Sequence, residues 1–117
     1  MIPLKSEDEL RMLKTSGAIL AKVMRELEKH VAPGVSTREI NALAEVLVLA
    51  NNALPAFKGY RGYPAALCTS INEEIVHGIP SERRLAEGDI IGIDLGVNYK
   101  GYFSDAAITI AIGKVSP

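Results

Sequence analysis

Two acids stand in stretches that otherwise read as buried sheet. Asp94 and Asp105 lie eleven positions apart in "GIDLGVNYKGYFSDAA", among Ile, Leu, Val and Ala. If 90–97 is one strand and 102–112 its partner, Tyr99-Lys100 forms a two-residue loop flanked by Asn98 and Gly101. That register sets Asp94 directly opposite Asp105 on one face, with Cβ atoms about 4.5–5.5 Å apart, where like charges repel. Ile91, Ile93, Leu95 and Val97 alternate onto the other face, while Gly92 and Gly96 flank Asp94 and leave room above the backbone. A cation would remove the repulsion, and hard divalent ions take carboxylate oxygen. Three other readings stay open at this point. The face could be solvated, Lys100 or the arginines could neutralise the acids, or the two carboxyls could share a proton.

The other chemically capable side chains are sparse. His77, in "HGIP", is either a turn residue or an acid–base group that titrates near neutrality. Cys68, in the β-prone "ALCTSI", reads as a buried inert thiol, not a nucleophile. Tyr60 and Tyr63 punctuate "GYRGYP" and could be ordinary loop aromatics. Glu73, Glu74 and the pair Arg83-Arg84 read as surface charges.

These residues must be held by elements, and the chain announces several. Ser6 with Glu9 is a capping box, followed by Leu10, Leu13, Gly17, Leu20, Met24 and Leu27 at helical spacing. Pro33-Gly34 stops that helix near Val31. Ser36 with Glu39 opens a second helix through Ile40, Leu43, Leu47 and Val48, which Asn51-Asn52 ends. From Leu54 onward Pro, Gly and Tyr break the pattern, and "ALCTSI", "EIVHGIP", "DIIGIDLGV" and "YFSDAAITIAI" read as strands. Helices first and strands after predict an α+β fold, two helices packed on a largely antiparallel sheet.

Composition bounds the function. A chain of 117 residues, 48% hydrophobic and 23% charged, fits one globular domain spanning 1–117. A net charge of −1 with scattered signs leaves no footprint for nucleic acid or an anionic membrane. No apolar run approaches the roughly 18 residues of a transmembrane helix. The polar, acidic start "MIPLKSEDELRM" does not read as a secretory signal, and one cysteine suits a reducing compartment. A cytoplasmic location is expected.

The order "GYRGYP", "CTSINEEIVHGIP" and "GDIIGIDLGVNYKGYFSDAA" resembles the type I methionine aminopeptidases over the whole chain. The resemblance implies a pita-bread fold, of which this chain is the amino-terminal half. It implies two divalent metal ions (Co, Mn, Fe or Zn), with Asp94 chelating one and Asp105 bridging both. A water held between the ions would then attack the carbonyl after the initiator methionine of nascent polypeptides. His77 matches a histidine that hydrogen-bonds the scissile amide without ligating metal. Phe57, Tyr60, Tyr63 and Cys68 match positions around the methionine side-chain pocket. Two departures stand out: Gly96 where threonine is frequent, and an aromatic Phe57 where some members have a small residue. The family's remaining ligands, one histidine and two glutamates, have no counterpart in these 117 residues. The expectation is an incomplete site, completed by a carboxy-terminal half or by a symmetric homodimer. The competing functions are a non-catalytic binding module of the same fold and a proline-specific aminopeptidase.

Overall fold

A computed structural model of the chain describes residues 6–72 and 78–113, with the side chain of Tyr60 excepted. The order is α1 (Glu7–His30), α2 (Thr37–Ala50), β1 (Leu54–Pro55), a short 3-10 turn (Tyr60–Gly62), β2 (Leu67–Ile71), β3 (Ile90–Tyr99) and β4 (Tyr102–Ala111).

Local chemistry sets the helix ends. Ser6 Oγ accepts from Glu9 N at 3.1 Å, and the Glu9 carboxylate reaches back to Ser6 N, closing the expected capping box. Ser36 Oγ likewise caps α2 through Glu39 N at 3.1 Å, but the Glu39 carboxylate is turned toward Arg84, 3.5 Å away. The second cap is therefore a simple N-cap. The buried stripe of α1 is Ser16, Ile19, Leu20, Val23, Met24 and Leu27, while Leu10 is exposed and Leu13 and Gly17 are only half-buried. The first two turns of α1 run past the end of the core, and neither Leu10 nor Leu13 joins it.

β3 is the central strand of a four-stranded antiparallel sheet. β4 pairs along its full length on one edge, while β2 and the two-residue β1 follow one another along the other. On the face toward the helices, Ile91, Ile93, Leu95 and Val97 meet Leu67 and Ile71 and are buried against α1 and α2. Alternation thus selects the face, and the helices close it. A hydroxyl pair, the buried Ser16 Oγ and the half-buried Ser104 Oγ at 2.8 Å, ties α1 to β4 across this interface.

Two polar clamps join α2 to the rest. Asn41 Oδ1, on α2, accepts from Ala66 N at 2.8 Å and Leu67 N at 3.3 Å, fixing where β2 begins. Thr37 Oγ1 exchanges hydrogen bonds with Ser81 (3.1 Å to its carbonyl, 2.7 Å from its N–H), and Leu85 is buried in the core beside them. The strand expected over "EIVHGIP" falls mostly on residues 73–77, outside the described residues. Beyond it, Gly78 forms an isolated bridge with Thr69 of β2.

Candidate metal centre

The β3–β4 hairpin differs from its expected register. Tyr99 pairs with Tyr102, so the loop is Lys100-Gly101, not Tyr99-Lys100. Lys100 and Gly101 have φ of 50° and 88°, the left-handed pair that a type I′ turn requires. Gly101 takes that conformation without Cβ strain, whereas the expected loop would have asked it of Tyr99. Asn98 Oδ1 brackets the turn by accepting from Gly101 N at 2.8 Å.

The shift moves each aspartate's partner by two residues, which preserves the face and changes the neighbour. Asp94 lies opposite Ala107, and Asp105 lies opposite Gly96. The acids are therefore diagonal neighbours, about 7–8 Å apart by strand geometry. Two unit charges at that distance in watery surroundings repel by only about 0.5 kcal/mol. Asp105 is exposed and Asp94 half-buried, so repulsion by itself does not require a cation here. What the structure contributes is convergence. Both carboxylates line one recess of about 620 Å³ on the face of the sheet away from the helices.

Phe57, Tyr63 and Cys68 line the same recess. Cys68 arrives there because β2 pairs it with Asp94. Tyr63 is half-buried, and its hydroxyl donates to the Leu67 carbonyl at 2.9 Å. Burial, then the neighbouring Cys68 thiol and the Asp94 charge, push the Tyr63 hydroxyl well above its usual range, so it stays a neutral phenol. Tyr60 sits on the 3-10 turn beside these residues, and its side chain is outside the described set. His77 lies outside the described residues altogether.

The expected open space above Gly96 is filled. A Cβ built there would lie 2.7 Å from the Phe57 ring and 3.0 Å from Ala56, whereas one on Gly92 would meet nothing closer than 3.8 Å. Arg61 and Ile79, which residue type alone did not single out, also line the recess. The signal for Arg61 was its setting between Gly59 and Gly62; its φ of 49° places it in the left-handed region. Lys100 is engaged elsewhere, its ammonium 5.3 Å from the Tyr99 ring at the hairpin tip.

Among the described residues no three His, Cys, Asp or Glu side chains are grouped closely enough to hold an ion. The donors that are present suit a hard divalent cation: two carboxylates on adjacent strands, in a recess with an otherwise largely apolar wall. They fit part of a metal site and leave coordination positions to be filled.

The chain is similar to known proteins over nearly its whole length. The sequence model of metallopeptidase family M24 matches residues 11–117. The methionine aminopeptidase of Clostridium acetobutylicum is 49% identical over 117 residues, covering 99% of this chain and 47% of the relative. That of Borreliella burgdorferi is 47% identical over 112 residues, covering 96% and 45%. The crystal structure of methionine aminopeptidase from Thermotoga maritima superposes with a TM-score of 0.93 at 38% identity, covering 99% of this chain and 47% of that one. The chain spans about half the length of the curated relatives it matches.

Proposed function

The chain belongs to metallopeptidase family M24 and has its pita-bread fold, and from that premise we propose that it serves the removal of initiator methionine from nascent polypeptides. The observation that carries the reading is the convergence of Asp94 and Asp105 on one recess walled by Phe57, Tyr63 and Cys68. Apolar, aromatic and sulfur surfaces suit an unbranched thioether side chain. Asp94 and Asp105 would hold the divalent metal of the family, two ions in the complete site, of the Co, Mn, Fe or Zn class. When bound, such metal supplies Lewis-acid activation for amide hydrolysis. Tyr63, held neutral, contributes a fixed aromatic wall and a hydroxyl already committed to Leu67, so it is not available as a base. His77 is proposed, from the resemblance, to hydrogen-bond the scissile amide.

The donor set is short by a histidine and two glutamates in the family pattern. Residues 1–117 are accordingly proposed as the amino-terminal half of a catalytic domain working in the cytoplasm. Its complement is either a carboxy-terminal half or a second copy of the chain. No helix among the described residues is long and apolar enough to cross a membrane.

Calorimetric titration of Mn²⁺ into the chain and into Asp94→Asn tests the metal role. Binding to the chain that is lost in the variant is expected. Equal heats in both proteins would remove Asp94 from the site. The isolated half is expected to be inactive or weakly active, so hydrolysis of a methionyl peptide that appears once a complementing half is supplied, and is lost in the same variant, tests the reaction; sedimentation decides between a monomer and a self-complementing dimer.

A further inference from the structure

The recess that holds the two acids also carries a base. Among the described residues lining it, Asp94 and Asp105 are the only acids and Arg61 the only basic side chain. Arg61 is exposed, and its backbone takes a conformation that a residue with a Cβ adopts at a cost, φ of 49° between Gly59 at 86° and Gly62 at 79°. Main-chain hydrogen bonds fix that turn: Gly59 N donates to the Tyr63 carbonyl at 2.7 Å, and Gly62 N to the Gly59 carbonyl at 3.3 Å. Any movement of the charge therefore falls to the long, exposed side chain. The charge cannot be relieved by loss of a proton, because a guanidinium does not titrate in proteins. Nor is it remote from the acids on an electrostatic scale. A recess of about 620 Å³ is about 10 Å across, comparable with the screening length of salt at ~0.1 M.

We propose that Arg61 is the counter-cation of the metal-free recess and competes electrostatically with the divalent ion for Asp94 and Asp105. The proposal rests on the reading of those two acids as metal ligands. Charge arithmetic carries it. Two carboxylates and one guanidinium give the lining a formal charge of −1. A divalent ion balances the two carboxylates by themselves, whereas with Arg61 beside them it leaves the recess at +1. The guanidinium therefore opposes the ion and gives way toward solvent as it enters, and the two acids hold metal weakly on their own. The missing histidine and glutamates would overcome that opposition, so Arg61 makes metal retention depend on completion of the site. What matters at residue 61 is then its charge and not its size, and removing the charge should strengthen metal binding.

The probe is Mn²⁺, titrated into the 117-residue chain, Arg61→Gln and Arg61→Lys, with binding read from the relaxation enhancement of water protons, which detects weak sites. Both substitutions keep a Cβ, so the cost of the left-handed backbone is unchanged. Arg61→Gln should bind Mn²⁺ about three- to tenfold more tightly, the scale of removing one positive charge about 8 Å from a divalent ion. Arg61→Lys keeps the charge and should stay within about twofold of the unsubstituted chain. Raising salt from ~0.05 M to ~0.5 M should cut the effect of Arg61→Gln to below about twofold. Without metal, the side-chain Nε–Hε resonance of Arg61 should shift in Asp94→Asn and in Asp105→Asn. No shift in either would overturn the counter-cation role, whatever the metal does. Equal or weaker Mn²⁺ binding in Arg61→Gln would also overturn it, as would the same gain in Arg61→Lys. The metal reading is separated by adding Asp94→Asn to Arg61→Gln, which should abolish binding. Binding that is equal in the chain and in Arg61→Gln, yet lost with Asp94→Asn, refutes the counter-cation alone. Binding that survives Asp94→Asn refutes the metal reading and the proposal with it.

Discussion

The position of Asp94 relative to Asp105 depends on a two-residue turn, so the turn is the place to test the site's geometry. Gly101→Ala is the perturbation. Gly101 has φ of 88° and nothing within 4 Å of a built Cβ, so no neighbour would be displaced and the cost is conformational alone. An L-residue held in the left-handed region loses about 1–2 kcal/mol. For a domain of about 100 residues this lowers the melting temperature by about 4–16 °C. Urea unfolding followed by circular dichroism measures the free energy, with Gly101→Asn as a milder control, since Asn tolerates that region better. Cross-strand nuclear Overhauser contacts between Asp94 and Ala107 report the register directly. If the loop were instead Tyr99-Lys100, Gly101 would be a strand position. Its replacement by Ala would then cost nothing or stabilise the hairpin, because glycine weakens strands. A destabilisation below about 0.3 kcal/mol, together with contacts between Asp94 and Asp105, would refute the register and the diagonal placement of the acids.

Two further outcomes follow from the clamps around the sheet. Asn41→Ala leaves the N–H groups of Ala66 and Leu67 without their acceptor and should cost about 1–3 kcal/mol in chemical denaturation. Asn41→Asp, which keeps an acceptor oxygen, should recover most of it, and equal losses would exclude the hydrogen bonds as the cause. Asp89 gives a pH signature. Its carboxyl accepts from Ala86 N and from Asn72, and these bonds hold its folded-state pKa below the ordinary 3.8. The unfolded chain therefore takes up the proton first. The stabilisation is complete above that ordinary value and is lost as pH falls through the folded one. Melting temperatures between about pH 5 and pH 2 should fall less steeply for Asp89→Asn than for the unsubstituted chain, and parallel curves would refute the linkage.

Periodicity and capping residues were sufficient for the helices, because those signals act within a few residues of where they stand. Ser6, Ser36 and the Pro33-Gly34 break mark the ends of α1 and α2 to within a residue or two. Alternation in 91–97 was sufficient to divide β3 into a core face and an acid-bearing face, since a strand's side-chain period is fixed by its backbone. The length of the core contact was not local: the helical repeat runs through Leu10 and Leu13, yet only the later turns of α1 reach the core. β1 was also invisible. Two residues have no period, and they become a strand only because β3 offers an edge beyond the end of β2.

For the site, the residue types and their order pointed to a metallopeptidase, and the two aspartates were correctly placed on one face. A two-residue error in register leaves that face unchanged, which is why the wrong loop still gave the right side of the sheet. The sequence could not give the distance between the acids, because that depends on which residues of the turn tolerate positive φ. Nor could it show that Phe57, 39 positions before Gly96, fills the space that glycine leaves. That contact exists only once β1 is laid against β3, and it alone turns an apparent gap beside Asp94 into a wall.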